Sequence, residues 1–232
     1  MLNSHLHPRR RGMLVVVSAP SGGGKSTLLR RLLAEVDNLR YSISYTTRPP
    51  RPGERDGEHY YFVSPDDFER MREHGEFLES ALVHGHFYGT HRKFVEATLD
   101  RGQDLILDID VQGAESLANI MPEATRIFIM PPSYDVLCQR LRARGSDDPA
   151  IIARRLRNAG QEVRRFREFH YVVVNDDLDR ALQALICIIG AERERWRLTE
   201  KALDAIVATF QTGITLLPVE GGYPSYDDTQ GN

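Results

Sequence analysis

Two cysteines, one tryptophan and no long apolar run set the first limits on this 232-residue chain. Cys138 and Cys187 are too few for a disulfide framework or a thiolate metal site. Both fall in apolar, helix-like patterns, which fits a reducing cytosol. No stretch is long and apolar enough to span a bilayer. Residues 1–12 carry basic side chains without the apolar run and cleavage site of a secretory leader, so they read as a disordered, solvated tail. An excess of one charge is missing too. The 30 Lys and Arg stand against 33 Asp and Glu, for a formal net charge of -3, which argues against a bulk nucleic-acid binder. The expectation is a cytoplasmic protein with no nucleic-acid or membrane partner.

What is present is ordinary in amount and uneven in placement. Apolar residues make up 41% and charged residues 27%, enough for one globular domain with a core. Arginines gather at 9–11, 140–144 and 154–167. Clustered arginine in a near-neutral chain points to a local anionic ligand such as phosphate.

Short β-branched runs at 13–17, 105–109, 127–130 and 171–174 read as buried strands. Between them lie helical patterns. Residues 25–36 put Leu28, Leu29, Leu32, Leu33 and Val36 on one face, residues 134–144 follow Ser133 as an N-cap, and residues 178–196 repeat the helical period. This alternation predicts an α/β fold with a parallel central sheet between helices. Two insertions interrupt it. Residues 40–88 read as short antiparallel strands, Tyr41-Ser42-Ile43-Ser44 among them, plus a helix over 65–74 started by Ser64 and Pro65. Residues 144–160 are polar and arginine-rich. Residues 213–232 are rich in Gly, Pro, Asp and Thr and read as disordered.

The join between the first strand and first helix carries the chemistry. Ala19-Pro20-Ser21-Gly22-Gly23-Gly24-Lys25-Ser26-Thr27 matches a phosphate loop except for Ala19, where a first glycine is usual. Glycines let successive backbone N–H groups turn toward phosphate oxygens, and the helix N-terminus adds positive potential there. Lys25 can reach the β- and γ-phosphates, and the Ser26 hydroxyl can ligate Mg²⁺. Asp108 closes the run Leu105-Ile106-Leu107, where such an enzyme places its Mg²⁺-side carboxylate. Asp110 lies two residues on and would share its face in an extended segment.

The first insertion is more specific. Thr46-Thr47-Arg48-Pro49-Pro50-Arg51-Pro52-Gly53-Glu54, Gly57-Glu58-His59-Tyr60-Tyr61-Phe62, Phe77-Leu78-Glu79 and Tyr88-Gly89-Thr90 closely resemble the GMP-binding region of guanylate kinases. So does Ile106-Leu107-Asp108-Ile109-Asp110-Val111-Gln112-Gly113. The resemblance covers roughly 13–195. It implies a P-loop three-layer sandwich with a small mixed α+β GMP-binding subdomain at about 41–92 and a helical lid at about 141–160. Residues 197–232 would form a C-terminal helix and a disordered tail.

The resemblance also implies roles. Arg48 and Arg51 grip the GMP phosphate, with Glu54 beside them and hydroxyl bonds from Tyr60 and Tyr88. Glu79 accepts from guanine N1–H and the amino group, Ser44 contacts the base edge, and Thr90 and Asp110 lie close to it. Lid and core arginines Arg140, Arg144 and Arg155 contact the phosphates in transit, and Asn175 lies near adenine. Arg154 and Arg157 read as a solvated face. The implied reaction passes the γ-phosphoryl of ATP to GMP, and to dGMP, within purine nucleotide metabolism, with Mg²⁺ carried by the ATP. Homo-oligomerisation stays open. So do two rival readings: a sugar-phosphate kinase on the same scaffold, against which Ser44 and Glu79 count, and a non-catalytic binding module, against which the intact Lys25 and Ser26 count. His91 departs from the family pattern, where a small residue is commoner after Tyr-Gly-Thr.

Overall fold

The computed structural model describes residues 10–83, 85–143, 149–195 and 200–215. Five strands form the central sheet: β1 (Leu14–Ser18), β2 (Leu39–Tyr41), β7 (Asp104–Asp108), β8 (Thr125–Met130) and β9 (Tyr171–Val174). Their order is β2-β7-β1-β8-β9, and every pairing is parallel. Both faces of β1 are buried, as its unbroken Leu-Val-Val-Val run requires. Val15 and Val17 pack under α1 (Lys25–Glu35) and α7 (Leu178–Arg193), while Leu14 and Val16 pack under α3 (Arg92–Asp100) and α4 (Val111–Ile120). These two apolar layers make the three-layer sandwich expected from the alternation.

The insertion forms a second sheet from β3 (Tyr45–Thr46), β4 (Tyr61–Phe62), β5 (Phe77–Val83) and β6 (His86–His91), ordered β4-β3-β6-β5. It is mixed, not wholly antiparallel, because β3 and β4 pair in parallel. The segment read as its first strand belongs elsewhere: Tyr41 ends β2 in the central sheet, opposite Ile106. Helix α2 (Pro65–Glu73) starts where Ser64 predicts, with the Ser64 hydroxyl accepting from the Asp67 amide at 3.0 Å. Phe68 of that helix is fully buried and stacks on Phe77 and Phe87, fastening α2 to the small sheet. His91 serves as a cap in place of a small residue, its ring accepting from the Phe94 amide at the start of α3.

Helices α5 (Tyr134–Ala143) and α6 (Pro149–Glu162) pack through Leu137, Leu141 and Ala159, and a 3-10 helix (Val163–Glu168) continues from α6. Helix α8 (Glu200–Thr215) carries the chain past Gly213, where the sequence had suggested disorder. Nor are the last residues of the basic segment a free tail. Arg10 makes a two-pronged pair with the fully buried Asp104 at 2.6 and 2.7 Å, and the Gly12 amide bonds Leu99. No helix among the described residues is long and apolar enough to cross a membrane.

Candidate active site

The carboxyl ends of β1 and β7 open into a cleft bounded on the far side by the small sheet. On the near wall, residues 19–24 leave β1 and turn back on themselves through a 2.8 Å bond from the Gly23 amide to Pro20 O. Gly24 sits at the N-cap of α1 with φ 91° and no side-chain cap, which leaves the first-turn amides of α1 without an internal acceptor. A side chain there is excluded twice. The conformation is left-handed, and a Cβ would lie 2.2 Å from Asn175 Nδ2. Ala19 fits, half-buried against the core beneath α1.

Lys25 spans from this loop to the end of β7. Its ammonium contacts Asp108 and donates to Ile109 O at 3.3 Å. Asp108 also accepts from Tyr41 Oη at 3.4 Å. Burial and the Asp108 charge push the Tyr41 phenol well above its ordinary range, so it remains a donor. The strand ends at Asp108, so Asp110 does not simply repeat its direction. Asp110 caps α4, its carboxylate accepting from the Gly113 amide at 2.9 Å, yet it still faces the cleft.

The far wall is anionic at one end and cationic at the other. Glu79 projects from β5 and is 6% exposed. Its Oε1 accepts from Thr90 Oγ1 at 2.6 Å across the β5–β6 pairing. Burial, reinforced by the Asp110 charge and resisted by the Thr90 bond, raises its pKa to about 7. Gly113 makes room for this carboxylate, since a Cβ there would lie 3.0 Å from Glu79 Oε2. At the cationic end Arg48 is buried, its guanidinium bonded to both Glu54 oxygens at 2.8 and 2.9 Å and set over the Tyr60 ring. Glu54 also accepts from the Arg51 amide at 2.7 Å, so it holds the Arg48 side chain and the Arg51 backbone in place. Tyr60 and Tyr88 meet edge to face, and burial together with Asp108 raises the Tyr60 pKa to about 12.

The structure thus brings residues 19–26, Ser44, Arg48, Arg51, Glu54, Tyr60, Glu79, Tyr88, Asp108 and Asp110 around one cleft. Thr90, fully buried, stands behind Glu79 rather than on the surface of the cleft, and Thr27, exposed on α1, does not line it. Arg140 and Asn175 brace the phosphate loop from behind. Arg140 donates to Asn175 O at 2.9 Å, and Asn175, 3% exposed, donates to Gly23 O at 2.8 Å. Asn175 is therefore committed to the loop's backbone. Arg155 is half-buried on α6 between the exposed Arg154 and Arg157, and Arg144 lies outside the described residues. Sequence reasoning missed four lining residues, of which Ile109 lies between the two expected aspartates. Ala81 and Val83 follow Glu79 at the alternating spacing of β5 and were readable from that period. Glu162 ends an arginine-rich helix and gave no such signal.

A family model described as guanylate kinase matches residues 11–192. A guanylate kinase from Paraburkholderia xenovorans (strain LB400) is 52% identical over 185 residues, 80% of this chain and 82% of its own. One from Thiobacillus denitrificans (strain ATCC 25259 / T1) is 51% identical over 186 residues, 80% of this chain and 89% of its own. The crystal structure of guanylate kinase from Anaplasma phagocytophilum superposes with a TM-score of 0.68 at 36% identity, covering 80% of this chain and 88% of that one.

Proposed function

The chain belongs to the guanylate kinase family, and from that premise we propose that it moves the γ-phosphoryl group of ATP onto GMP or dGMP, yielding ADP and GDP or dGDP. The observation that carries the reading is one cleft with a phosphate loop on one wall and a buried, base-facing carboxylate, Glu79, on the other.

In this reading the loop amides and Lys25 hold the ATP phosphates. Lys25 is already neutralised by Asp108, so it is positioned before the nucleotide arrives. Arg48, held by Glu54, and Arg51 receive the GMP phosphate with Tyr60 and Tyr88. Glu79 accepts from the N1–H and amino group of guanine. Adenine has an acceptor at N1, and two acceptors facing each other disfavour AMP. Thr90 fixes one Glu79 oxygen, and Ser44 and Asp110 complete that end of the cleft. The acceptor is an ionised phosphate oxygen, so alignment and charge neutralisation suffice and no general base is needed. Arg140 acts through the loop it braces, and Arg155 and Arg144 belong to the lid side of the same reaction.

The donor set suits Mg²⁺ better than a softer ion. Ser26 and Asp108 offer hard oxygens beside the phosphate loop. Among the described residues no group of three or more His, Cys, Asp or Glu could hold a metal by itself. Mg²⁺ held by Ser26 and Asp108 would neutralise charge on the β- and γ-phosphoryl oxygens. A cytosolic setting is supported by two cysteines, both free.

An ADP-release assay with ATP and each of GMP, dGMP, AMP, CMP and UMP tests the reading. GMP and dGMP should be turned over and the others not. Equal turnover of AMP and GMP would refute the base assignment.

A further inference from the structure

Glu162 is the last residue of α6 and the first flank of the 3-10 helix Val163–Glu168. Three residues earlier, Ala159 is 1% exposed against Leu137 and Leu141, which fixes the end of α6 over the cleft. The Glu162 carboxylate lines that cleft beside Ser21, Lys25 and Asp110. Its Oε2 is buried with no hydrogen-bond partner. Burial, reinforced by the Asp110 charge, disfavours its ionised form, while Lys25 and the nearby Ser21 amide favour it, and the balance leaves its pKa raised. A half-buried carboxyl group with one oxygen buried and unsatisfied does not serve its own helix. It faces the loop whose amides and lysine are arranged to receive phosphate oxygens.

We propose that Glu162 is an anionic placeholder, its carboxylate facing the Ser21 end of the phosphate loop across the cleft until a nucleotide's phosphates take that space. The inference rests on the reading that ATP phosphates enter this loop. Carboxylate and phosphate oxygens accept from the same N–H groups, and at close range their charges repel, so the two do not share the loop. The change from α to 3-10 geometry at Glu162 is the place where the side chain and its backbone can give way. Glu162 therefore opposes nucleotide binding in proportion to the negative charge that reaches Ser21 and Lys25.

Calorimetric titration of ATP, ADP and AMP into the full chain tests this, using wild type, Glu162→Gln and Glu162→Asp. Glutamine keeps the shape and removes the charge, so Glu162→Gln should bind ATP ~10-fold more tightly. The gain should be smaller for ADP and absent for AMP, an order that a merely structural role would not produce. Glu162→Asp keeps the charge and should stay close to wild type. Unchanged or weaker ATP binding in Glu162→Gln, or an equal shift for all three nucleotides, overturns the placeholder. A Lys25→Ala control separates the two claims. If wild type binds no ATP, or Lys25→Ala binds it equally well, the kinase reading falls and takes the placeholder with it. If the control behaves and Glu162→Gln shows no gain, the placeholder alone falls.

Discussion

Glu79 should give GMP use a pH dependence that its isosteric amide lacks. On the proposed base assignment Glu79 must be ionised to accept from both guanine donors, yet in the free protein burial has raised its pKa to about 7. About a tenth of the molecules are then ionised at pH 6 and about nine-tenths at pH 8, because each pH unit away from the pKa is tenfold in the ratio of forms. The profile of kcat/KM reports the free enzyme, so its value for GMP should rise about tenfold over that range. The GMP phosphate titrates near pH 6 and contributes its own rise. Glu79→Gln separates the two, since it keeps the phosphate limb and loses the one near 7. The variant also turns one acceptor into a donor facing a guanine donor, which should lower kcat/KM for GMP by ~10²-fold or more and shrink the GMP-to-AMP ratio. Stability supplies a sign check. The folded pKa lies above the ordinary glutamate value, so this group's contribution is fully present below about 4.5 and is lost as pH rises through about 7. The full difference is about 3 kcal/mol, and GMP binding should recover part of it, so the rise in melting temperature on adding GMP should grow from pH 6 to 8. Superimposable pH profiles for wild type and Glu79→Gln, with the same GMP-to-AMP ratio, would refute the assignment of Glu79 to the base.

Gly113→Ala should act on the same carboxylate from behind. The new Cβ would lie 3.0 Å from Glu79 Oε2 and 3.4 Å from Asp110 Oδ1, so Glu79 is displaced while the backbone is not. Steady-state kinetics should show kcat/KM for GMP down by ~10-fold or more with KM for ATP nearly unchanged and the melting temperature close to wild type. At the opposite end of the sheet, Asp104→Ala should unfold at lower urea, losing about 3 kcal/mol, because it strands Arg10 and Arg193, which bond the fully buried carboxylate. Burial raises the Asp104 pKa, but Arg10, the Met13 amide and Arg193 together outweigh it and hold the group below the usual carboxylate range. Its contribution is thus present above about pH 4 and lost as pH falls through the lowered value, so the gap between variant and wild type should close in acid.

How much of this could be read in the chain depended on how far apart the partners lie. The phosphate loop was legible because strand, glycine run, Lys25-Ser26 and amphipathic helix are contiguous and each part independently favours its place. Asp108 was legible as the end of a buried strand. Asp110 faces the cleft for a reason its two-residue spacing from Asp108 does not give, since the chain leaves the strand after Asp108 and Asp110 caps a helix. The small sheet was recognised from its motifs but not its pairing. Strands β3 and β4 are two residues each, too short for a period, and their parallel register is set by the excursion between them. Arg10 looked like part of a solvated run because its partner, Asp104, is 94 positions away.

Glu162 marks the limit of reading by pattern. It sits in a segment whose arginines describe a solvated face, and residues 154 and 157 do face solvent. Only the three-residue step from a buried Ala159 turns it toward the cleft. The same geometry bears on the three carboxylates, Asp108, Asp110 and Glu162, that stand on the phosphate-loop side of the cleft, apart from Glu54 and Glu79 on the far wall. Asp108 is matched by Lys25 and Asp110 by the first-turn amide of α4, so each already has a partner in the free protein. Glu162 has near it only the Ser21 amide and a lysine that Asp108 already engages, and its buried Oε2 has no partner. Of the three it is therefore the one whose charge an incoming phosphate meets uncompensated, and the one whose neutralisation should be felt in binding rather than in folding.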